Sequence, residues 1–199
     1  MLTEIDAPML AEAFPSEHHS AAMLAGQAAA RALSSRQWTE RFVVQSEGQN
    51  VLIPARLHFA SERLRLIEGD EAWRFARALQ TRSNDGFERQ RAARDLLIDL
   101  QPWGAPFIVA LIGEYIVEIL DDVAAALTPE IARTLGDFIV HNQSYWQTTK
   151  RRVASYWNVY YRASWSSELR RPYRRDEYIG FKLIEELETA ASGNRSAQA

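Results

Sequence analysis

Cysteine is absent from this chain of 199 residues. Without cysteine the protein has no disulfide bond, no thiol nucleophile and no zinc–thiolate site. The sequence also lacks a glycine-rich phosphate loop, a dinucleotide-binding fingerprint and a Gly-x-Ser-x-Gly elbow. These absences weigh against an enzyme, and the sequence marks no catalytic residue and no cofactor.

Histidine is scarce, with four residues at positions 18, 19, 58 and 141. No two of them have the His-x-x-x-His spacing that brings two imidazoles to one metal ion on a helix. His18 and His19 are adjacent on the first long predicted helix, so their side chains point in different directions. The sequence therefore predicts no metal site.

Long hydrophobic runs are also missing. The most apolar stretch extends from Pro106 to Leu120 and contains Glu114 and Glu118. It is shorter than the roughly 20 apolar residues that a membrane-spanning helix needs. The acidic amino terminus lacks the positive region of a signal peptide. We expect no membrane association and a cytoplasmic location, which the absence of cysteine fits.

An excess of positive charge is lacking as well, because the net charge is −3. Such a balance gives no general attraction to nucleic acid or to an anionic membrane. Hydrophobic residues make up 47% of the chain and charged residues 25%, which is typical of a folded globular protein. The totals therefore disfavour nucleic acid as the partner.

Helical patterns dominate what is present. The one strand-like region has "RFVVQ" and "NVLIPARLHF" on either side of "SEGQ", which predicts a β-hairpin at about residues 41–59. From Asp70 onward the pattern is helical, with Asp85 and Thr128 as further predicted N-caps. The predicted fold is mainly α, with several helices and one β-hairpin in the amino-terminal third.

The organisation of the chain follows from these elements. A chain of 199 residues is long enough for one domain with a sizeable core, and we predict a single helical domain over residues 1–190. The polar end, "SGNRSAQA", predicts a disordered tail at 191–199.

The stretch "SNDGFERQRAARDLL" has an Asp85–Gly86 turn, Arg89, and Ala92–Ala93 ahead of Leu96–Leu97. This segment resembles the inter-helix turn and second helix of a HEAT-type repeat. The resemblance covers about residues 70–127 and has no second copy of the turn in this chain. It implies antiparallel helix pairs and a scaffold that binds other proteins, and it indicates no particular partner.

A basic and aromatic stretch, "KRRVASYWNVYYRASW", covers Lys150 to Trp165. We predict that it belongs to one long helix from Thr128 to about Ser164. At about 100° per residue, most of its rings then share one arc of the helix. The residues of that arc are Phe138, Ile139, Tyr145, Trp146, Val153, Tyr156, Trp157, Tyr160 and Tyr161. We therefore expect these rings to face a core, since stacking on bases needs rings on an exposed surface.

The carboxy-terminal basic segment nevertheless supports a second interpretation, in which the protein binds nucleic acid. It contains "LRRPYRR", and Trp165 before it projects beside the solvent face of the predicted helix. The candidate residues are Arg162, Trp165, Arg170, Arg171, Arg174 and Arg175. No RNP, helix-turn-helix or zinc-finger pattern supports this interpretation.

An acidic stripe marks the apolar stretch "GEYIVEILDDVAAAL". On one continuous helix from Pro106 to about Leu127, its four carboxylates share an arc of about 100°. They are Glu114, Glu118, Asp121 and Asp122. They could pair with the chain's own arginines or face solvent, line a groove for a partner, or act as a catalytic pair at Glu114 and Glu118. A four-helix di-metal site would also need Glu-x-x-His spacing, which the sequence lacks.

These features favour a non-catalytic protein-interaction or scaffold module with an unidentified protein partner. Nucleic-acid binding is the second interpretation, and an enzyme built on the carboxylate pair is the third. The hairpin also suggests a homodimer, because its first strand has no residue that blocks pairing at an open edge. Its apolar set is Phe42, Val44, Val51, Ile53, Leu57 and Phe59. The alternative is that helices of the same chain cover that set.

Overall fold

The computed structural model describes residues 3–60, 70–166, 171–172 and 174–198. The chain divides into two compact units, Met1–Phe107 and Ile108–Ala199, which are described in turn. The fold class is confirmed, because helices dominate and a β-hairpin lies in the amino-terminal third. The assignment of residues 1–190 to one domain stays a prediction.

The first unit combines short antiparallel strands with helices. Its strands are β1 (Thr3–Glu4), β2 (Trp38–Thr39), β3 (Arg41–Ser46) and β4 (Gln49–Pro54). Its helices are α1 (Ala7–Ala11), α2 (His19–Ala32), α3 (Glu71–Gln80) and α4 (Gly86–Leu97). A single 3₁₀ turn, Ser16–His18, precedes α2, and another, Pro102–Gly104, follows α4.

The hairpin of β3 and β4 shows the period of two that its sequence predicts. The strands pair antiparallel, with Val44 opposite Val51, and both of these side chains are buried. Val43, on the other face, is 64% exposed. Ile53 and Leu57 are also buried, so most of the apolar set is covered within the chain.

Small residues bring the helices of the first unit close together. Gly26 in α2 has no space for a side chain, since an added Cβ would lie 2.5 Å from the carbonyl oxygen of Ala7 in α1. Aromatic rings fill the core of the same unit. The ring centroid of Phe75 lies 4.6 Å from that of Phe14 and 4.3 Å from that of Trp103. Burial of these rings is a main source of stability for this unit.

Helices α3 and α4 pack against each other. Asp85 caps α4 by accepting hydrogen bonds from the backbone N–H groups of Phe87 and Glu88, which confirms the predicted N-cap. Arg77 donates a hydrogen bond of 2.6 Å from Nε to Asp95 and so ties the two helices. Membership of a repeat family stays a prediction.

The second unit is a group of helices with one short strand pair. Its helices are α5 (Ala105–Ile112, within which the division falls), α6 (Val117–Ala125), α7 (Pro129–His141), α8 (Gln143–Tyr156) and α9 (Ile179–Gln198). A π-helical turn, Trp157–Tyr161, continues α8. Strands β5 (Trp165–Ser166) and β6 (Arg171–Pro172) pair antiparallel.

The continuous helix predicted from Pro106 to Leu127 is wrong. The chain leaves the helix after Ile112 and starts α6 at Val117. Glycine is a poor helix former, and Gly113 stands at the break. A Cβ there would approach the side chain of Arg152 to 3.3 Å, so the close packing also favours glycine.

The single helix predicted from Thr128 to Ser164 is also wrong. Its start is confirmed, because the Thr128 side chain accepts a hydrogen bond from the backbone of Ile131. However, α7 ends at His141, where Asn142 leaves the helical conformation with φ −127° and ψ 48°. The Asn142 side chain donates 2.9 Å to the carbonyl oxygen of Phe138. This bond competes with the backbone ladder and so favours the break.

Helix α9 packs against α6, α7 and α8. Its buried residues Leu183, Leu187 and Ala191 recur every four positions, which is the spacing of one helical face. The helix continues to Gln198, through most of the segment 191–199 for which the sequence predicts a disordered tail. Among the helices described, none has both the length and the apolar character that crossing a membrane requires.

Candidate functional site

The four carboxylates of the acidic stripe do not share one helical face. Glu114 lies in the turn between α5 and α6 and is buried, whereas Glu118, Asp121 and Asp122 belong to α6. Glu114, Glu118 and Asp122 all interact with other groups. The side chain of Asp121 makes no hydrogen bond or ion pair with any residue that the structure describes. Of the stripe, Asp121 is therefore the group that lacks a counter-charge.

Asp121 opens into a pocket of about 230 Å³ in the second unit. We call it the Asp121 pocket, and its lining residues are Val117, Asp121, Tyr161, Glu177, Tyr178 and Ile179. Helix α6 supplies one wall, the π-helical turn supplies Tyr161, and the start of α9 with the 3₁₀ turn before it supplies the rest. The pocket thus joins three chain segments that are distant in sequence.

Two tyrosine rings stack at this pocket. The ring centroids of Tyr161 and Tyr178 are 4.8 Å apart, with an angle of 29° between the ring planes. The hydroxyl of Tyr161 donates a hydrogen bond to the carbonyl oxygen of Tyr115, which fixes the ring. Tyr178 is only 3% exposed, and its buried hydroxyl has no partner among the residues described. A buried hydroxyl normally has a hydrogen-bond partner, so Tyr178 is an unsatisfied donor at the wall of the pocket.

The two carboxylates of the pocket, Asp121 and Glu177, have pKa values that are shifted in opposite directions. Burial raises the pKa of Asp121, and the neighbouring charges of Glu118 and Asp122 raise it further. Glu177 has the opposite environment. Its hydrogen bonds from the side chain of Arg171 and then from the backbone N–H of Arg174, at 2.8 Å, lower the pKa of Glu177 to about 2. Glu177 is satisfied within the chain, whereas the charge of Asp121 is not.

The same environment acts on the tyrosines of the pocket. Burial raises the pKa of Tyr161 above its ordinary value, with a further contribution from the charge of Glu118. Burial likewise raises the pKa of Tyr178, and the nearby Tyr161 and Asp121 contribute in the same direction. Both hydroxyls therefore stay protonated at neutral pH. That of Tyr161 already donates to the carbonyl oxygen of Tyr115, whereas that of Tyr178 has no acceptor among the described residues.

More tyrosines lie next to the pocket on the surface of the second unit. The rings of Tyr115 and Tyr160 are 5.6 Å apart, and Tyr156 lies 5.8 Å from Tyr115. Tyr115 and Tyr160 are both exposed, as is Val159. The prediction that Tyr160 faces the core is therefore wrong. Exposed tyrosines beside carboxylates are typical of surfaces that bind other molecules.

The basic residues proposed for nucleic acid form no comparable site among the residues that the structure describes. Arg171 is paired with Glu177, and the guanidinium of Arg175 lies 4.4 Å from the centre of the Phe181 ring. Arg162 is exposed and donates a hydrogen bond of 3.0 Å to Asn158. Arg174 is exposed.

The two remaining nucleic-acid candidates are Trp165 and Arg170. Trp165 belongs to β5, and Arg170 lies outside the described residues. In the described part of the set, Arg162, Arg171 and Arg175 therefore already interact with other residues of the chain.

The sequence indicated Asp121 but missed both pocket tyrosines. Tyr161 was predicted to face the core, because the wheel of a continuous α-helix places it there. Tyr178 was not singled out. The Arg-Asp-Glu-Tyr run before the last helix is the only local signal, and it does not reveal that Tyr178 would meet Tyr161.

Comparisons with known proteins add no relative: no protein-family model, no curated protein and no solved structure matches this chain. A function for the chain must therefore be argued from the site. The pocket combines a carboxylate of raised pKa, two stacked rings and an unpartnered hydroxyl. This combination is suited to an organic cation, which aromatic faces attract and a carboxylate neutralises.

Proposed function

We propose that this protein is a non-catalytic interaction module that binds an arginine side chain of a protein partner in the Asp121 pocket. The observation that carries the proposal is the carboxylate of Asp121, which has no counter-charge among the described residues and lies beside two stacked tyrosine rings. Like charges from Glu118 and Asp122 make an added cation more favourable still.

Arginine suits this pocket better than lysine for geometric reasons. A planar guanidinium can stack on the face of Tyr161 and present two N–H groups to one carboxylate. A cation held over an aromatic ring contributes about 0.5–2 kcal/mol, depending on how far it is desolvated. An ammonium group would make the ion pair without the stacking.

The charge of the site disfavours the alternatives. Phosphates of nucleic acid would be repelled by Glu118, Asp121 and Asp122, which lie together on α6. An enzyme built on Glu114 and Glu118 receives no support from the pocket, since neither residue lines it. A basic protein segment has the complementary charge.

A peptide titration with a neutral isostere tests the proposal. A fluorescein-labelled, Gly- and Ser-rich peptide with two arginines is titrated with the full chain and followed by fluorescence anisotropy. A second peptide carries citrulline, which has the shape of arginine without its charge. We expect the arginine peptide to bind at least about tenfold more tightly, a difference of about 1.4 kcal/mol. A lysine peptide should fall between the two.

Matched variants locate the site of binding. Asp121→Asn should weaken binding of the arginine peptide at least about tenfold, because it removes the unpaired charge. Asp137→Asn changes a carboxylate on α7 that does not line the pocket, so its affinity should be that of the wild type. Equal binding of the arginine and citrulline peptides, or full binding by Asp121→Asn, would contradict the proposal.

A homodimer through β3 is a separate part of the proposal. In the described chain β3 pairs only with β4, and its exposed Val43 lies on the face away from the buried Val44. An edge of this kind can pair with the same strand of a second copy. Light scattering at tens of micromolar would detect a dimer, and Val43→Lys should shift it towards monomer. A monomeric wild type would exclude this contact.

A cytoplasmic location stays a prediction, which the distribution of a fluorescent fusion would test.

A further inference from the structure

Three carboxylates surround the imidazole of His18 in the first unit. Nε2 of His18 lies 3.3 Å from Oε2 of Glu47 and 3.7 Å from Oε1 of Glu17. Nδ1 lies 3.2 Å from Oε1 of Glu71. One possible metal-ligand atom from each of His18, Glu17 and Glu47 lies within 4.8 Å of the other two. Among the described residues, this is the group whose spacing fits a metal site.

The fold brings these residues together from separate segments. Glu17 and His18 belong to the 3₁₀ turn before α2, Glu47 to the turn between β3 and β4, and Glu71 to the first turn of α3. The His18 ring rests against two aromatic rings of the core, with centroids 5.3 Å from Phe75 and 6.5 Å from Trp103. Its side chain is 21% exposed. The imidazole is thus held in place before any ligand binds.

The hydrogen-bonding roles around His18 leave room for a cation. Ionised carboxylates only accept hydrogen bonds, and a neutral imidazole donates from one nitrogen only. In the tautomer that donates from Nδ1 to Glu71, the lone pair of Nε2 faces oxygens of Glu17 and Glu47. Nε2 of His18 and the carboxylate oxygens of Glu17 and Glu47 are then three hydrogen-bond acceptors that face one another with no hydrogen between them. The same tautomer is the one in metal sites, where a carboxylate orients the histidine through its other nitrogen.

The distances agree with a small divalent ion. Zinc binds histidine nitrogen and carboxylate oxygen at about 2.0–2.2 Å in a tetrahedron, which places neighbouring ligand atoms about 3.3–3.6 Å apart. The observed separations at Nε2 are 3.3 and 3.7 Å. We propose that His18, Glu17 and Glu47 bind one zinc ion, with Glu71 as the residue that positions His18. The fourth position of the tetrahedron is left to water or to a further ligand.

The backbone conformation of Glu47 allows a variant that removes this proposed ligand without destabilising the hairpin. Glu47 has a φ of 49°, and Gly48 after it has a φ of 76°, as in the two-residue hairpin turns that favour Asn-Gly. Glutamate is unfavourable at such a position, whereas asparagine is preferred there. Glu47→Asn is therefore expected to keep or improve the hairpin while it removes one proposed ligand. Loss of binding in that variant could not be attributed to unfolding.

Isothermal titration calorimetry of the untagged full chain with zinc chloride at pH 7.5 tests the site. We expect saturable binding of one zinc ion per chain. His18→Ala should weaken binding at least tenfold, whereas His19→Ala, the adjacent exposed histidine, should bind as the wild type does. Asp121→Asn should also keep zinc binding, which separates this inference from the proposed function.

The remaining variants assign the other roles. Glu47→Asn should weaken zinc binding at least tenfold with an unchanged or raised Tm in the absence of metal. Glu71→Gln should weaken it by about 10–100-fold while the stoichiometry stays at one, as is typical when the partner of a ligating histidine is changed. Magnesium chloride should produce no comparable heat, because imidazole is a poor ligand for that ion.

Three outcomes would overturn the inference. The first is no saturable zinc binding by the wild type, which would mean that the cluster does not hold a metal ion. The second is equal weakening by His18→Ala and His19→Ala, which would identify adventitious binding to surface histidines. The third is unchanged affinity in Glu47→Asn.

Discussion

Helix α8 and the π-helical turn after it both carry aromatic side chains, yet they place these rings in different environments. Trp146 in α8 is 1% exposed, whereas Tyr160 in the turn is 53% exposed. The backbone N–H of Arg162 donates to the carbonyl oxygen of Trp157, five residues earlier, at 2.8 Å. Each wider turn of this kind contains an extra residue and shifts the following side chains around the helix. A local change of backbone pitch thus ends a core-facing stripe and directs Tyr161 to the Asp121 pocket.

The largest effect that this comparison predicts is the loss of Trp146. Trp146→Ala should lower the free energy of unfolding by about 3–5 kcal/mol, because it leaves a cavity in the core of the second unit. Tyr160→Ala, on the exposed turn, should change it by less than about 1 kcal/mol. Urea unfolding followed by circular dichroism measures both. Similar costs for the two variants would show that the turn is packed as tightly as α8.

A shorter turn tests the role of pitch directly. Deletion of the exposed Asn158 should restore an α-helical turn and rotate the rings that follow. We expect the affinity for the arginine peptide to fall about tenfold, or about 1.4 kcal/mol, as Tyr161 leaves the pocket. Circular dichroism should show that the helical content is kept. If the shortened chain binds the peptide as the wild type does, the π-helical turn does not set the site.

A smaller effect is expected at Asp121. The raised pKa of Asp121 means that its ionised form is unfavourable in the folded chain, so Asp121→Asn should be more stable at pH 7. The gain is about 0.2–0.5 kcal/mol, which is typical of a like-charge pair on one helix. It should shrink as the pH falls through the raised pKa towards the ordinary value of 3.8, where the wild type is protonated too. Thermal unfolding from pH 7 to 3.5 measures this, with Asp137→Asn as the control.

The smallest effect concerns the carboxylate that already has a partner. Hydrogen bonds from Arg171 and then from the backbone N–H of Arg174 lower the pKa of Glu177 from 4.5 to about 2. They therefore stabilise the fold above pH 4.5, and this contribution is lost as the pH falls towards 2. Arg171→Gln should remove that part of the pH dependence. The pair is partly exposed to solvent, so added salt should also reduce its contribution. A pH profile of Tm that is unchanged in Arg171→Gln would show that the pair does not contribute.

The success of the sequence predictions varied with the range of the interactions involved. Asp85 and Thr128 were predicted as N-caps, and both cap helices, because capping depends on residues within one turn. The breaks at Gly113 and Asn142 were missed. The hydrophobic pattern continues across both positions, and the packing against Arg152 is not visible in it. The acidic stripe pointed to Asp121, but the wheel that grouped it with Glu114 assumed an unbroken helix.

The sequence by itself determined the fold class, the hairpin and the region of the carboxylates. These depend on periodicity, turn residues and composition, which are local properties of the chain. Tertiary structure decided that Tyr178 meets Tyr161, and that Glu47 and Glu71 meet His18. Such contacts join residues that are 17 to 53 positions apart. They form only when helices and strands pack, because the burial of apolar surface, and not local preference, brings those segments together.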